Sequence, residues 1–289
     1  MIHDLKYFKK SLTEAIMECK NGDSIFLDDI VYNEKICIDK RNITMIGRKN
    51  TVITYDAANP VVIPQSQGGD GVKTYGTTGS ATVLVTTNGD GFKAYNITFK
   101  NTYQRAEGQN GQAVAFKSEA NNVYIENCKF ISSQDTLYVD YGKYNVIRDS
   151  YIEGDVDFIF GSADCIFYNC QIHAKKVFHQ AYFLAPSTYE ENLHGFIFYK
   201  CNFESDEGLK TYLGRAWFPS KSLKSVYPRC TLIDCNLKGD IEFDLIQMHS
   251  GDSREYSLKL NNIVYNGTTL NYNDDVELQM ELIERYIKY

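Results

Sequence analysis

The chain has 289 residues, 43% hydrophobic and 23% charged, the proportions of an ordinary globular protein long enough to bury a substantial core. No apolar run approaches the roughly 20 residues that span a bilayer, and a net charge of −7 argues against nucleic acid, whose binders carry basic patches. Five prolines against 22 tyrosines and 16 phenylalanines favour strands over helices.

The first segment, MIHDLKYFKKSLTEAI, lacks the apolar core of a secretory signal. Leu5, Phe8, Leu12, Ala15 and Ile16 follow helical spacing, which predicts a helix over residues 4–20 that caps the N-terminal end of the fold. Without a leader the chain is expected in the cytoplasm, or outside the cell if a leader has been removed. No membrane is expected as a partner.

From residue 92 onward, short apolar segments recur. They are FKAYNITF (Phe92–Phe99), VYIENCKF (Val123–Phe130), VIRDSYI (Val146–Ile152), IFYNCQI (Ile166–Ile172), FIFYKCNF (Phe196–Phe203) and TLIDCNL (Thr231–Leu237). Aligned on Asn96, Cys128, Ser150, Cys170, Cys201 and Cys235, they step by 32, 22, 20, 31 and 34 residues. Period-2 alternation makes each a strand, and the recurring step stacks them. The prediction is an all-β parallel solenoid.

The eight cysteines include no CxxC pair, and Cys165 and Cys170 are five apart without further ligand spacing. Four cysteines share one repeat position, so an interior column of free thiols is expected rather than disulfides or zinc. Near the end, DDVELQMELIERYIKY puts Val276, Met280, Ile283 and Ile287 on one helix face behind an Asn273 or Asp274 cap. No linker divides the chain, so residues 1–289 are expected to form a single domain, and a monomer.

Four segments place polar groups where a solenoid would carry ordinary surface: GQAVAF (Gly111–Phe116), SQDTLYV (Ser133–Val139), DVDFIFG (Asp155–Gly161) and YLGRAW (Tyr212–Trp217). Gln112 and Gln134 are 22 residues apart, as are Asp135 and Asp157, and so are the repeat positions Cys128 and Ser150. Residues one coil apart stack at roughly 4.8 Å. Two carboxylates and two amides therefore converge on one face. Carboxylates that close cannot both ionise easily, and an arginine beside one keeps that one charged. Arg215 is the candidate cation. The amide NH2 groups of the glutamines are neutral donors suited to an oxyanion. Taken singly, each aspartate reads as a turn residue and the tryptophan, Trp217, as core packing; in register, they read as a site. The five histidines, His3, His173, His179, His194 and His249, show no metal spacing, and none adjoins these segments. No G-x-S-x-G elbow or phosphate loop is present.

With these motifs assembled, the chain resembles the pectin methylesterase (pectinesterase) family, bacterial type, over roughly Leu12 to Asp240. The likeness rests on TTGSAT (Thr77–Thr82), GDGFKAYNITFKNT (Gly89–Thr102), GQAVAF, SQDTLYV, YIEGDVDFIFG (Tyr151–Gly161), YFLAPST (Tyr182–Thr188) and YLGRAW, in order. The resemblance implies a single-stranded right-handed parallel β-helix with short terminal helices. It implies hydrolysis of methyl esters on galacturonan or its oligomers without cofactor or metal. Asp157 would be the nucleophile and Asp135 the acid and base. Gln112 and Gln134 would hold the oxyanion, and Arg215 would keep Asp157 charged. Trp217, Tyr138 and Phe160 would contact sugar, and Thr77 would help position it.

The chain departs from the family in four places. The early G-x-Y-x-E reads Ile30-Val31-Tyr32-Asn33-Glu34. The usual L-G-R-P-W reads Leu213-Gly214-Arg215-Ala216-Trp217, which is expected to loosen the turn presenting Trp217. The strand preceding the N-terminal helix is missing from the pattern. Ile241–Tyr256 replaces a Gly-Trp segment, so one wall of the cleft is expected to differ. The rival readings are a calcium-dependent pectate-lyase-like enzyme, which has no use for two stacked glutamines, an inactive sugar-binding solenoid, and an esterase acting on a non-pectin ester.

Overall fold

The recurring segments each fold as two short strands meeting at a sharp bend. Asn145–Arg148 and Tyr151–Gly154 flank one such bend, and Cys165–Tyr168 and Gln171–Ala174 flank the next. The residue at the bend has positive φ: 52° at Asn127, 49° at Asp149, 52° at Asn169 and 54° at Asp234. Asn and Asp tolerate this left-handed region better than most residues. Their side chains also bond coil to coil, Asn127 Nδ2 donating to Asn96 Oδ1 at 2.7 Å and Asn169 Nδ2 to Asp149 Oδ1 at 2.6 Å.

In the computed structural model these units wind into a right-handed parallel β-helix. The structure is described for residues 1–6, 10–106, 108–220, 225–249 and 252–287. Three parallel ladders run along it. The ladder that bears the site has eight strands in chain order: Ile36–Ile38, Val83–Val85, Phe116–Ser118, Leu137–Val139, Val156–Gly161, Gln180–Pro186, Lys210–Ala216 and Asp240–Gln247. The core is filled by aromatic stacks, with Phe99 and Phe130 rings 5.5 Å apart and Phe167 and Phe198 rings 4.5 Å apart.

Cys128, Cys170, Cys201 and Cys235 form the expected interior column, all buried and all free thiols. The alignment is off by one at its first member. Lys129 pairs with Thr98, so Ile97 joins the column and Asn96 belongs to the bend ladder. An apolar side chain is what the interior position requires.

The ends differ from expectation. The helix predicted over residues 4–20 is confined to Leu12–Glu18, and Ile2–Asp4 is a strand paired with Ser24–Phe26. Phe8 lies outside the described residues. The short strand hydrogen-bonds the edge of the first coil, and it supplies the strand that the sequence pattern lacks. The helix begins at a capping box of Ser11 and Glu14 and buries Leu12, Ala15 and Ile16 over the core. Glu34 accepts the Leu12 and Thr13 N–H groups, both at 2.9 Å. Glu34 of the Tyr32–Glu34 motif therefore serves the cap, while the Tyr32 hydroxyl accepts the Asp28 N–H at 2.8 Å.

The C-terminal helix spans Glu277–Ile287. Asp275, rather than Asn273 or Asp274, accepts its first free N–H, that of Glu277, at 3.1 Å. Asn273 ends a strand, and Asp274 is bonded to the Leu260 N–H at 2.7 Å. This helix lies across the outer face of the sheet, Ile283 packing with Val146, Ile166, Ile197 and Ile233. No described helix is long and apolar enough to cross a membrane.

Candidate active site

The site grows from the register of three neighbouring strands. Leu137 pairs with Ile159 and Tyr138 with Phe160, a 22-residue offset, and the Asp135 N–H donates to the Val156 carbonyl at 3.0 Å. Asp135 therefore lies beside Asp157. On the other side, Ala113 N–H donates to the Gln134 carbonyl at 3.0 Å and Ala115 N–H to that of Thr136 at 2.8 Å, which continues the 22-residue offset through Gln112 and Gln134. Phe116 N–H shares the Thr136 carbonyl at 3.3 Å, and beyond this bulge the offset is 21, Phe116 facing Leu137.

Both aspartates sit at positive φ, 64° at Asp135 and 50° at Asp157, a conformation that costs about 1 kcal/mol or more. It turns the carboxyls away from the strand's alternating faces. Gly161, at φ 125°, follows because an added Cβ would lie 1.9 Å from the Val139 carbonyl oxygen.

All nine residues singled out from the sequence line one cavity of about 500 Å³: Thr77, Gln112, Gln134, Asp135, Tyr138, Asp157, Phe160, Arg215 and Trp217. Arg215 Nε donates to Asp157 Oδ1 at 2.9 Å, and its Nη2 donates to Oδ2. The guanidinium also lies 4.5 Å above the Tyr182 ring. Among the described residues, no side chain donates a hydrogen bond to Asp135. Burial pushes both carboxyls above the ordinary value. The charge of Asp157 drives Asp135 well higher, whereas the bonds and charge of Arg215 pull Asp157 back.

The amides are oriented by their own partners. Asn59 Nδ2 donates to Gln112 Oε1 at 3.1 Å, and the Gly111 N–H donates to Gln134 Oε1 at 3.2 Å. With each carbonyl oxygen occupied, each NH2 is left for the cavity. The apolar side is built by Tyr138 stacked on Phe160 at 4.1 Å, with Trp217 at 5.9 Å from Phe160.

A pectinesterase family model matches residues 3–273. The chain belongs to the pectinesterase family. Pectinesterase 31 of Arabidopsis thaliana is 35% identical over 220 residues, covering 72% of this chain and 66% of that protein. A pectinesterase of Ralstonia solanacearum is 34% identical over 229 residues, 68% of this chain and 55% of that protein. The chain thus spans about 55–66% of the length of these curated relatives. The solved pectin methylesterase from Yersinia enterocolitica superposes with a TM-score of 0.76 at 26% identity, covering 94% of this chain and 96% of that one.

The segment Ile241–Tyr256 supplies part of one wall of the cavity through Met248 and His249. Asp240–Gln247 adds a strand beside Lys210–Ala216, and Met248 packs with Trp217 and Phe160. Ala216 lies within a strand and pairs with Gln247, while the Trp217 N–H donates to the Pro186 carbonyl at 3.0 Å, so the presenting turn is tied down without proline. His249 lines the cavity, contrary to the expectation that no histidine adjoins the motifs, because the fold returns this distant segment to the site. His3 sits with Cys19 and Asp23 at the first coil, where its Nε2 meets Asp23 Oδ2 at 3.0 Å. Asn59 escapes sequence reasoning as well, since it reaches Gln112 only through space, whereas Thr78 and Asn110 adjoin Thr77 and Gly111 and Met248 lies in the Ile241–Tyr256 segment.

Proposed function

We propose that this chain is a metal-independent carboxylic ester hydrolase that removes methyl esters from galacturonate units of pectin or its oligomers. The observation that carries the reading is the asymmetric carboxylate pair: Asp157 is held by Arg215, and Asp135 beside it is pushed toward its neutral form. Such a pair supplies one nucleophile and one acid at the same pH. Family membership supports the ester chemistry.

In this reading an Asp157 oxygen attacks the ester carbonyl carbon. The carbonyl oxygen becomes an oxyanion between the NH2 groups of Gln112 and Gln134. Asp135 gives its proton to the methoxy oxygen, the C–O bond breaks and methanol leaves. The galacturonate acyl group is then joined to Asp157 as an anhydride. Asp135, now ionised, takes a proton from water as the water oxygen attacks the acyl carbon. The anhydride C–O bond breaks, Asp157 is freed and Asp135 is again protonated. Trp217, Tyr138 and Phe160 offer ring faces to the sugar, and Thr77 flanks it. The eight free thiols support action in a reducing compartment, the cytoplasm. One chain furnishes every named group, which supports action as a monomer.

Methanol release from methyl-esterified pectin tests this directly. Asp157→Ala should lose activity by about 10⁴-fold or more. Equal rates in the variant and the parent would overturn the mechanism.

A further inference from the structure

A second charged pair lies just behind the site and takes no part in the proposed hydrolysis. Arg105 Nη2 is bonded to Asp155 Oδ2, and Asp155 is 1% exposed, two residues ahead of Asp157. The guanidinium also lies 4.6 Å over the Phe178 ring. Neither Arg105 nor Asp155 lines the cavity. The Arg105 stem instead touches the segment that carries Gln112 and whose Gly111 N–H bonds to Gln134. A Cβ added to Gly111 would lie 2.4 Å from Arg105 Cβ and 3.0 Å from its Cδ. The backbone of Gly111 therefore rests flush against that stem, and its N–H is the donor that occupies Gln134 Oε1.

We propose that the Arg105–Asp155 clamp is a positioning device for the oxyanion donors. By anchoring Arg105, Asp155 holds Gly111 where its N–H fixes the carbonyl of Gln134 and turns the amide NH2 to the cavity. The clamp thus ties one oxyanion donor to the strand that bears the nucleophile, so the two move as a unit. Arg105 and Asp155 are positioning residues: neither lines the cavity, they reach Gln134 through Gly111 and through the Asp155 N–H bond to the Ser133 carbonyl at 3.1 Å, and their opposite charges also bear on Asp135 and Asp157. The inference rests on the ester-hydrolase reading.

The decisive experiment is a double-mutant cycle. Arg105→Met together with Asp155→Asn removes the clamp without leaving one buried charge unpaired, which would itself unfold the site. Steady-state methanol release from methyl-esterified oligogalacturonide gives kcat and KM. In the otherwise native protein the paired variant should lower kcat about tenfold with KM within about twofold, part of the 10²–10³ that a lost oxyanion donor costs. In a Gln134→Ala background it should lower kcat no further. An equal fall in both backgrounds, or none in the native one, would overturn the clamp while leaving the esterase reading intact. A Gln134→Ala protein with native kcat would overturn the clamp together with the oxyanion role of Gln134, whereas a parent protein that releases no methanol would overturn the esterase reading itself. Should thermal melting find the paired variant unfolded, Gly111→Ala, which displaces the same loop, takes its place in the cycle with the same expected pattern.

Discussion

Asp135 is a residue whose environment works against its charge. Burial and the neighbouring Asp157 raise its proton affinity in the folded protein well above the ordinary carboxylate value of about 3.9. The folded state therefore binds more protons than the unfolded one. The stability this provides is complete below about pH 4 and is lost as pH rises through the raised value. Asparagine keeps the shape and cannot ionise. Asp135→Asn should match the parent in melting temperature near pH 4 and exceed it at pH 8, by about 2 °C for each kcal/mol relieved. Activity should fall about 10²–10⁴-fold. Differential scanning calorimetry across that range checks the sign, and a variant less stable at pH 8 would contradict it. The pairing of Asp135 with Asp157 is legible in the sequence because their offset equals that of a neighbouring bend. Asn59 and the Arg105–Asp155 pair are not legible. Their partners lie 53 and 50 residues away with no repeat linking them.

At the scale of the strand and its bend, the repeat is a device for keeping register. Each coil meets the next through backbone bonds, a bend residue at positive φ, and one small buried side chain just after it. The cysteine column is that third component, legible because its spacing is periodic. Its first member is displaced by one place, since Asn96 and Cys128 look equivalent in sequence while only Ile97 faces inward. The three-residue strand at Ile2–Asp4 is hidden for a related reason: three residues are too few to display a period, and of the apolar positions beyond them Leu12, Ala15 and Ile16 lie in a helix. The column also makes a prediction. Seven of the eight thiols are buried and Cys37 is exposed. A thiol reagent should modify one cysteine rapidly in the native protein and eight after denaturation without reductant. Fewer than eight would reveal bonds that the folded chain does not have.

Across the whole molecule, stability and chemistry occupy different faces. The site lies on one ladder, and the C-terminal helix lies on another, covering Val146, Ile166, Ile197 and Ile233. The amphipathic pattern reveals the helix, but not which surface it covers, since the partners come from four separate coils. Removing the chain from Val276 onward should leave kcat within about twofold, because no residue of the helix lines the cavity. It should nonetheless uncover four apolar side chains whose burial is worth about 1.5–3 kcal/mol each. The truncated protein should melt earlier and associate with rising concentration in size-exclusion chromatography. A truncated protein as stable and monodisperse as the parent would place the helix outside the fold's energetics.

The wall that Trp217 shares with Phe160 and Met248 holds the single indole of the chain. Tryptophan emission from this protein therefore originates at the cavity alone, with no background from the solenoid. Any sugar that settles against that wall changes the solvent around the sole emitter. The protein carries its own optical titrant, and occupancy can be followed at equilibrium, even in a variant that no longer turns over.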